Sequence, residues 1–192
     1  MSYAELYAYC QDFDPPIKRG VVKDKVLALT GCPRITTMFS TLDILSCRGM
    51  YLSVKNSDHQ FVKQHGCHII VLARDLPKEW HHFIYLKEVM HLFDDPLAAT
   101  DSGDKLEQLL TDFSSPFDWE NASPQYKSEI RCFWMALGIM CPEKVRQTYI
   151  KQREDGSFDE YAAALQLRIP QGYVPRLFDR RFEETIRTLK QK

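Results

Sequence analysis

The most informative stretch for the fold is residues 68–93, which read HIIVLARDLPKEWHHFIYLKEVMHLF. The first part, HIIVLARDL, is rich in β-branched and apolar residues and predicts a strand. After Pro77, apolar residues recur at steps of three and four, which predicts an amphipathic helix over 78–93. One strand followed by one helix is therefore the unit around which the rest of the chain can be placed.

Strand patterns lie before this helix, and helix patterns follow it. The segment LDILSCRGMYLSV is a second strand-forming stretch, and together with HIIVLARDL it predicts a small antiparallel sheet over 36–73. Helices are predicted over about 1–35 and through most of 78–192. A sheet followed by helices indicates an α+β fold, with residues 1–192 as a single domain.

The predicted helices outside the central unit begin and end at ordinary signals. Pro15-Pro16 ends the first helix, Gly31 and Pro33 end the second, and Ser123-Pro124 is typical of a helix start. Their predicted ranges are 3–13, 21–31, 104–113, 124–140, 142–151, 158–167 and 172–189.

Composition excludes several classes of function. The chain has 25 lysines and arginines against 26 acids, so its net charge of −1 gives no general attraction to nucleic acids or to anionic membranes. The N-terminus lacks the pattern of a signal peptide, no apolar run is long enough to cross a bilayer, and the six cysteines form no Cys-x-x-Cys pair. We expect a cytoplasmic protein with reduced thiols, no membrane partner and no direct nucleic-acid partner.

The central helix contains Lys87-Glu88-x-x-His91, which is one residue away from the zinc-binding motif His-Glu-x-x-His. In that motif two neutral imidazoles bind the ion, and the glutamate takes a proton from the metal-bound water. A lysine ammonium has no lone pair and repels a dication. Lys87 can instead pair with Glu88, or with a distant acid such as Glu129, and fill the place of the metal.

The pattern alone is also compatible with an ordinary amphipathic helix, whose lysines and glutamates face solvent. Helical spacing places one set of side chains on a broad common face, and these are Trp80, Ile84, Lys87, Glu88, His91 and Asp95. We expect Lys87, Trp80, Ile84 and Asp95 of this set to line a cleft. A rebuilt metal site from His91, Asp95 and Glu129 is an alternative that the residue types permit.

Three segments together resemble the ImmA/IrrE family of bacterial and phage metallopeptidase-like proteins. They are CHIIVLARDLPKEWHHFIYLKEVMHLF, SEIRCFWMALGIMCPEKV and DEYAAALQLRIPQGYVPRLF, in the family's order and approximate spacing. The resemblance covers about the last two-thirds of the chain. It implies a zincin-like domain in which a small sheet packs against helices.

The resemblance also assigns roles to single positions. The first histidine ligand of the family falls on Lys87, the catalytic glutamate on Glu88, the second histidine ligand on His91 and the acidic third ligand on Glu129. The chain therefore departs from the family at one metal ligand. If the site is active, the resemblance implies that zinc binds at His91 and Glu129 and that Glu88 is catalytic; otherwise no cofactor is expected.

The resemblance favours a non-catalytic binding or regulatory protein of a bacterium, phage or mobile element. Its expected partner is a protein such as a helix-turn-helix repressor. The alternative is an active zinc metalloendopeptidase that cleaves a transcriptional repressor. A second alternative is a DNA-associated helical module, because Arg168, Arg176, Arg180 and Arg181 lie in or near the last predicted helix, although nearby acids dilute their charge.

Overall fold

In the computed structural model, the described residues are 2–55, 59–95, 98–100, 103–116 and 118–191. They form an α+β fold in which one three-stranded sheet packs against helices, so the predicted α+β class is confirmed. The first half contains, in chain order, helix α1 (Tyr3–Gln11), helix α2 (Arg19–Thr30), strand β1 (Ile35–Ser40), strand β2 (Gly49–Leu52), helix α3 (Gln60–His65) and strand β3 (His68–Ala73).

The sheet is mixed, and the prediction of an antiparallel sheet was wrong. Its strand order is β1-β3-β2, with β2 antiparallel to β3 and β1 parallel to β3. The parallel pair is possible because residues 41–67, which contain β2 and α3, are long enough to bring the chain back in the same direction. Residues 69–73 of β3 are all buried, as expected for a central strand that is covered on both faces.

The second half is helical, as predicted, with some different boundaries. It contains helix α4 (Lys78–Met90), a 3₁₀ helix (His91–Phe93), helices α5 (Gly103–Ser114), α6 (Pro124–Met140), α7 (Glu143–Glu154) and α8 (Glu160–Leu167), a second 3₁₀ helix (Gln171–Phe178) and helix α9 (Arg181–Leu189). In the part of the chain that is described, no helix has both the length and the apolar character needed to cross a membrane.

Two boundaries differ from the predictions in a way that matters for the site and for the C-terminus. The α-helix that carries the motif ends at Met90, and a tighter 3₁₀ turn follows it. The predicted helix over 172–189 is interrupted at Asp179, which is extended and accepts a hydrogen bond from the Arg181 N–H (3.0 Å). Helix α6 has the predicted bounds, and the Ser123 side chain caps its start.

Helix α4 lies between the sheet and α6. On the sheet side Ile84 packs against the backbone of β2 at Gly49, where an added Cβ would be only 2.5 Å from Ile84 Cγ2. Buried apolar side chains of α4 and α6, such as Leu86, Met90 and Ala136, belong to one core. The polar residues of the motif are therefore held between elements that cannot move apart freely.

Candidate functional site

The motif residues meet Glu129 at the interface of α4 and α6. The Lys87 ammonium donates a short hydrogen bond to Glu129 Oε2, although these residues are 42 positions apart in the chain. Lys87 Nζ also lies 2.9 Å from Glu88 Oε1. This second contact is an ion pair without hydrogen-bond alignment, since Glu88 Oε1 is buried and has no hydrogen-bond partner among the described residues. Lys87 thus pairs with both acids that the sequence indicated.

His91 faces the same two carboxylates. Its Nε2 lies 3.3 Å from Glu129 Oε1 and 3.5 Å from Glu88 Oε2. Four positions that the family resemblance aligned with its catalytic motif, Lys87 included, therefore converge on one place. Glu88 is only 1% exposed, so this place is in the interior and not on a solvated helix face.

The electrostatics of this cluster favour charged groups on Lys87 and Glu129. Burial alone would lower the pKa of Lys87, but Glu129 and Glu88 reverse this effect and hold it above its ordinary value. Burial would raise the pKa of Glu129, but Lys87 and His91 hold it well below its usual range. Burial raises the pKa of Glu88 in spite of the nearby Lys87 ammonium. The ammonium is therefore a fixed positive charge between the two acids.

The other ring nitrogen of His91 meets a second set of side chains, which the sequence analysis missed. Nδ1 lies 3.0 Å from Asp94 Oδ2, 3.1 Å from Ser128 Oγ and 3.4 Å from Cys132 Sγ. The Cys132 thiol donates to Asp94 Oδ2 (3.3 Å), and Arg131 Nη2 donates to Asp94 Oδ1 (3.0 Å). A sequence signal existed, because Ser128 and Cys132 are four residues apart and so share one face of α6 with Glu129.

Asp94, and not Asp95, is the acid next to His91. A continuous helix would have placed Asp95 one turn beyond His91 on the same face. The helix ends at Met90, however, and the 3₁₀ turn has about three residues per turn instead of about 3.6. This change brings Asp94 to the imidazole, while Asp95 lines a neighbouring pocket.

Acidic neighbours on both sides favour a protonated His91. Burial would lower the pKa of the imidazole, but Cys132, Glu129 and Asp94 raise it well above its ordinary value. Correspondingly, hydrogen bonds from His91 and Ser128 overcome burial and lower the pKa of Asp94. As an imidazolium, His91 donates from both nitrogens and leaves no lone pair for a ligand.

A pocket of about 380 Å³ opens beside this cluster. His91, Asp94 and Ser128 contribute to its wall from one side, and Tyr51 and His68 from the sheet. The Tyr51 ring packs nearly parallel to both imidazoles, with centroid distances of 5.5 Å to each.

The other predicted cleft residues, Trp80 and Ile84, lie elsewhere. The Arg48 guanidinium sits 4.3 Å above the Trp80 ring, whose edge also meets Tyr173 at a centroid distance of 5.4 Å. Ile84 is 7% exposed and packs on Gly49. The interface of α4 and the sheet is therefore filled at this point, and the accessible opening is the pocket next to Tyr51 and His91.

The zinc ion that the resemblance implies does not fit among Lys87, Glu88, His91 and Glu129 as they stand. A mononuclear zinc site needs at least three protein ligands, and only His91 Nε2 and Glu129 are left at the matching positions. The Lys87 ammonium, bonded to Glu129 and close to Glu88, also places a positive charge where the dication would bind. A catalytic step that uses zinc therefore has no support at the Nε2 side of His91, where Lys87, Glu88 and Glu129 lie.

Comparisons with known proteins return no relatives. No protein-family model matches the chain, and neither does any curated protein or solved structure.

Proposed function

We propose that this chain is a non-catalytic, metallopeptidase-like binding protein in which the Lys87 ammonium takes the place of the metal. The observation that supports this most directly is the position of Lys87 Nζ, in ion-pair contact with both Glu88 and Glu129. His91 Nε2 faces the same two carboxylates. The pattern is that of a metal centre with a side-chain cation in the middle.

The arrangement also argues against hydrolysis. A general base must reach the water from which it takes a proton. Glu88 is 1% exposed and lies against the Lys87 ammonium, so an attacking water has little access to it. A metal-bound water, which would provide the nucleophile in a zinc peptidase, has no place here. The active-peptidase alternative requires Lys87 to leave two acids that stabilise it.

Family resemblance suggests the partner. In the ImmA/IrrE family the protein acts on a helix-turn-helix transcriptional repressor, and a member without catalysis would hold such a partner without cutting it. The opening beside Tyr51 and His91 is the place where we expect a side chain of the partner to enter. Direct DNA binding is less well supported, since Asp179 lies 2.9 Å from Arg181 and 3.7 Å from Arg176 and so compensates two of the basic residues.

The test measures whether zinc binds next to Lys87 and whether the repressor is cleaved. Each protein is produced without a metal-binding tag, carries Cys132→Ser so that this thiol contributes no ligand, and is co-expressed with a helix-turn-helix repressor from the same genome. We expect the Lys87 protein and a Lys87→Arg control to bind the repressor, to leave it intact and to lack zinc. Lys87→His should gain zinc, and Lys87→His/Glu129→Gln should lose it again.

The proposal fails if the Lys87 protein contains one zinc per chain and cuts the repressor, and if Glu88→Gln abolishes the cutting while the fold is kept. It also fails if no repressor binds in a pull-down in which an unrelated DNA-binding protein serves as the control.

A further inference from the structure

We infer that His91 Nδ1, Asp94 and Cys132 form a binding site for one divalent cation of the zinc class, on the face of His91 opposite Lys87. The inference goes beyond the proposed function, because two of its ligands, Asp94 and Cys132, lie outside the peptidase-like motif and His91 would bind through its other ring nitrogen. Among the described residues, these three side chains bring their donor atoms within 4.8 Å of one another.

The donor atoms already have nearly the spacing that an ion requires. They are 3.0 Å (Nδ1 to Asp94 Oδ2), 3.3 Å (Oδ2 to Cys132 Sγ) and 3.4 Å (Sγ to Nδ1) apart. A tetrahedral zinc ion with bonds of about 2.0 Å to nitrogen and oxygen and about 2.3 Å to sulfur separates such donors by roughly 3.3 to 3.6 Å. The side chains need to spread by only a few tenths of an ångström.

The surroundings hold the ligands as the outer shell of a metal site does. A metal-bound histidine usually donates its other ring N–H to a carboxylate, which fixes the tautomer. Here Nε2 lies 3.3 Å from Glu129, which leaves Nδ1 for the ion. Arg131 holds Asp94 Oδ1 at 3.0 Å. Oδ2 is directed at His91 and Cys132 and also accepts a short hydrogen bond from the Ser128 hydroxyl.

Charge balance makes the exchange of protons for a dication feasible in this buried place. With a thiol, an imidazolium and a carboxylate, the three ligands carry no net charge. When the ion binds, Cys132 loses the thiol proton and His91 loses the Nδ1 proton, so a dication replaces two protons and the net charge stays the same. Metals deprotonate a coordinating thiol outright, which compensates for the burial that raises the pKa of Cys132 to about 12.

Donor chemistry and access define the class of ion. A sulfur, a nitrogen and an oxygen suit zinc and its neighbours in the first transition row, whereas magnesium and calcium prefer sites of oxygen only. Asp94 and Ser128 line the pocket of about 380 Å³, so an ion can enter from it. Ser128 Oγ lies 3.1 Å from Nδ1 and lines the same pocket, so Ser128 or a water molecule from the pocket can supply the fourth ligand.

Titration of the full chain with Co²⁺ tests the inference. One equivalent should produce a thiolate-to-cobalt charge-transfer band in the near ultraviolet, and Zn²⁺ should abolish it by displacement. About two protons should be released per ion in weak buffer. Cys132→Ser should remove the band, and Asp94→Asn should lower the affinity at least about 10-fold. Cys10→Ser is the matched control, because Cys10 is equally buried and outside the site.

The outcomes separate this inference from the proposed function. If Co²⁺ gives no thiolate band, or if the band persists in Cys132→Ser, the inference is overturned and the proposed function stands. If bound metal depends on Glu129 and not on Cys132, both are overturned, because the ion would then lie on the Lys87 side. Should Cys132→Ser fail to fold, as judged by circular dichroism, the loss of affinity in Asp94→Asn and its absence in Asp179→Asn, at a carboxylate outside the site, decide the question.

Discussion

The two ends of α4 each hold a buried imidazole, and the two rings are in opposite electrostatic surroundings. His91, just beyond the C-terminal end, faces Glu88, Glu129 and Asp94. Burial would lower its pKa, but Cys132, Glu129 and Asp94 raise it above its ordinary value. His82, near the N-terminal end, is 5% exposed, and burial lowers its pKa to about 4, an effect that Arg19 and Arg168 increase. Burial alone therefore does not determine the charge of a histidine; the side chains that other elements bring to it do.

The same contrast separates a cluster of compensating charges from a neutral ring beside two arginines. At the C-terminal end the charges cancel, and the six groups are Lys87, His91, Arg131, Glu88, Glu129 and Asp94. At the N-terminal end His82 Nε2 is buried without a hydrogen-bond partner among the described residues. Removing one member of a buried cluster of this kind leaves an uncompensated charge and is destabilising. A buried neutral ring instead makes the unfolding free energy sensitive to acid.

The largest effect should come from removing the cation of the compensated cluster. Lys87→Met keeps the length of the side chain but leaves Glu88 and Glu129 near each other without the ammonium. Breaking a buried pair in this way costs about 3–5 kcal/mol of unfolding free energy. Urea denaturation at pH 7 measures the loss, and Lys87→Met/Glu129→Gln should recover part of it because one of the two acids is then neutral.

Lys144→Met is the matched control for this prediction. Lys144 pairs with Asp14 at 2.9 Å, but both side chains are more than half exposed, so the change should cost less than about 1 kcal/mol. Equal losses for Lys87→Met and Lys144→Met would show that the cluster at the C-terminal end has no special role in stability.

Sequence patterns predicted one half of this cluster and not the other. Lys87, Glu88 and His91 follow from helical spacing, and Glu129 was aligned through the resemblance. Asp94 was missed because the end of α4 and the onset of a 3₁₀ turn depend on how the following residues pack, which the periodicity of a helix does not contain. Cys132 was predicted only as one of six reduced thiols, since only the tertiary structure shows what lies opposite it.

Fold prediction failed for a similar reason at β1. This strand reads ITTMFS, and it was not among the stretches predicted as strands. The α+β class follows from the order of elements, but the direction in which β1 pairs with β3 depends on where residues 41–67 lead the chain.

His82 should make the unfolding free energy depend on pH. The pKa of His82 is about 4 in the folded chain, below the ordinary value of 6.5. As pH falls below 6.5 the unfolded chain takes up a proton that the folded chain does not, so unfolding becomes more favourable until about pH 4. The loss amounts to roughly 3 kcal/mol, at about 1.4 kcal/mol per pH unit. Above pH 6.5 the ring is neutral in both the folded and the unfolded chain, so the unfolding free energy no longer changes with pH through His82.

His82→Leu isolates this contribution. The substitution fills the same buried space without a titratable group, so the difference in unfolding free energy between the two proteins should change by roughly 3 kcal/mol between pH 6.5 and pH 4. Between pH 7 and pH 8 the difference should be constant. A difference that does not vary with pH over the acid range would mean that His82 takes up its proton at the same pH in the folded and unfolded chains, and the contrast between the two ends of α4 would be lost.

The smallest effect concerns Arg131, at the margin of the C-terminal cluster. Arg131→Gln removes one of the groups that hold Asp94, yet His91 and Ser128 still donate to that carboxylate. We therefore expect a loss of about 1.5 kcal/mol, the low end for one hydrogen bond to a charged group, because the Arg131 side chain is partly exposed. Arg176→Gln, at an exposed pair with Asp179, should cost less than about 1 kcal/mol under the same conditions. If Arg131→Gln costs as much as Lys87→Met, Arg131 is an indispensable member of the buried cluster. The compensation of charges would then include the groups around Nδ1 of His91 as well as those around Nε2.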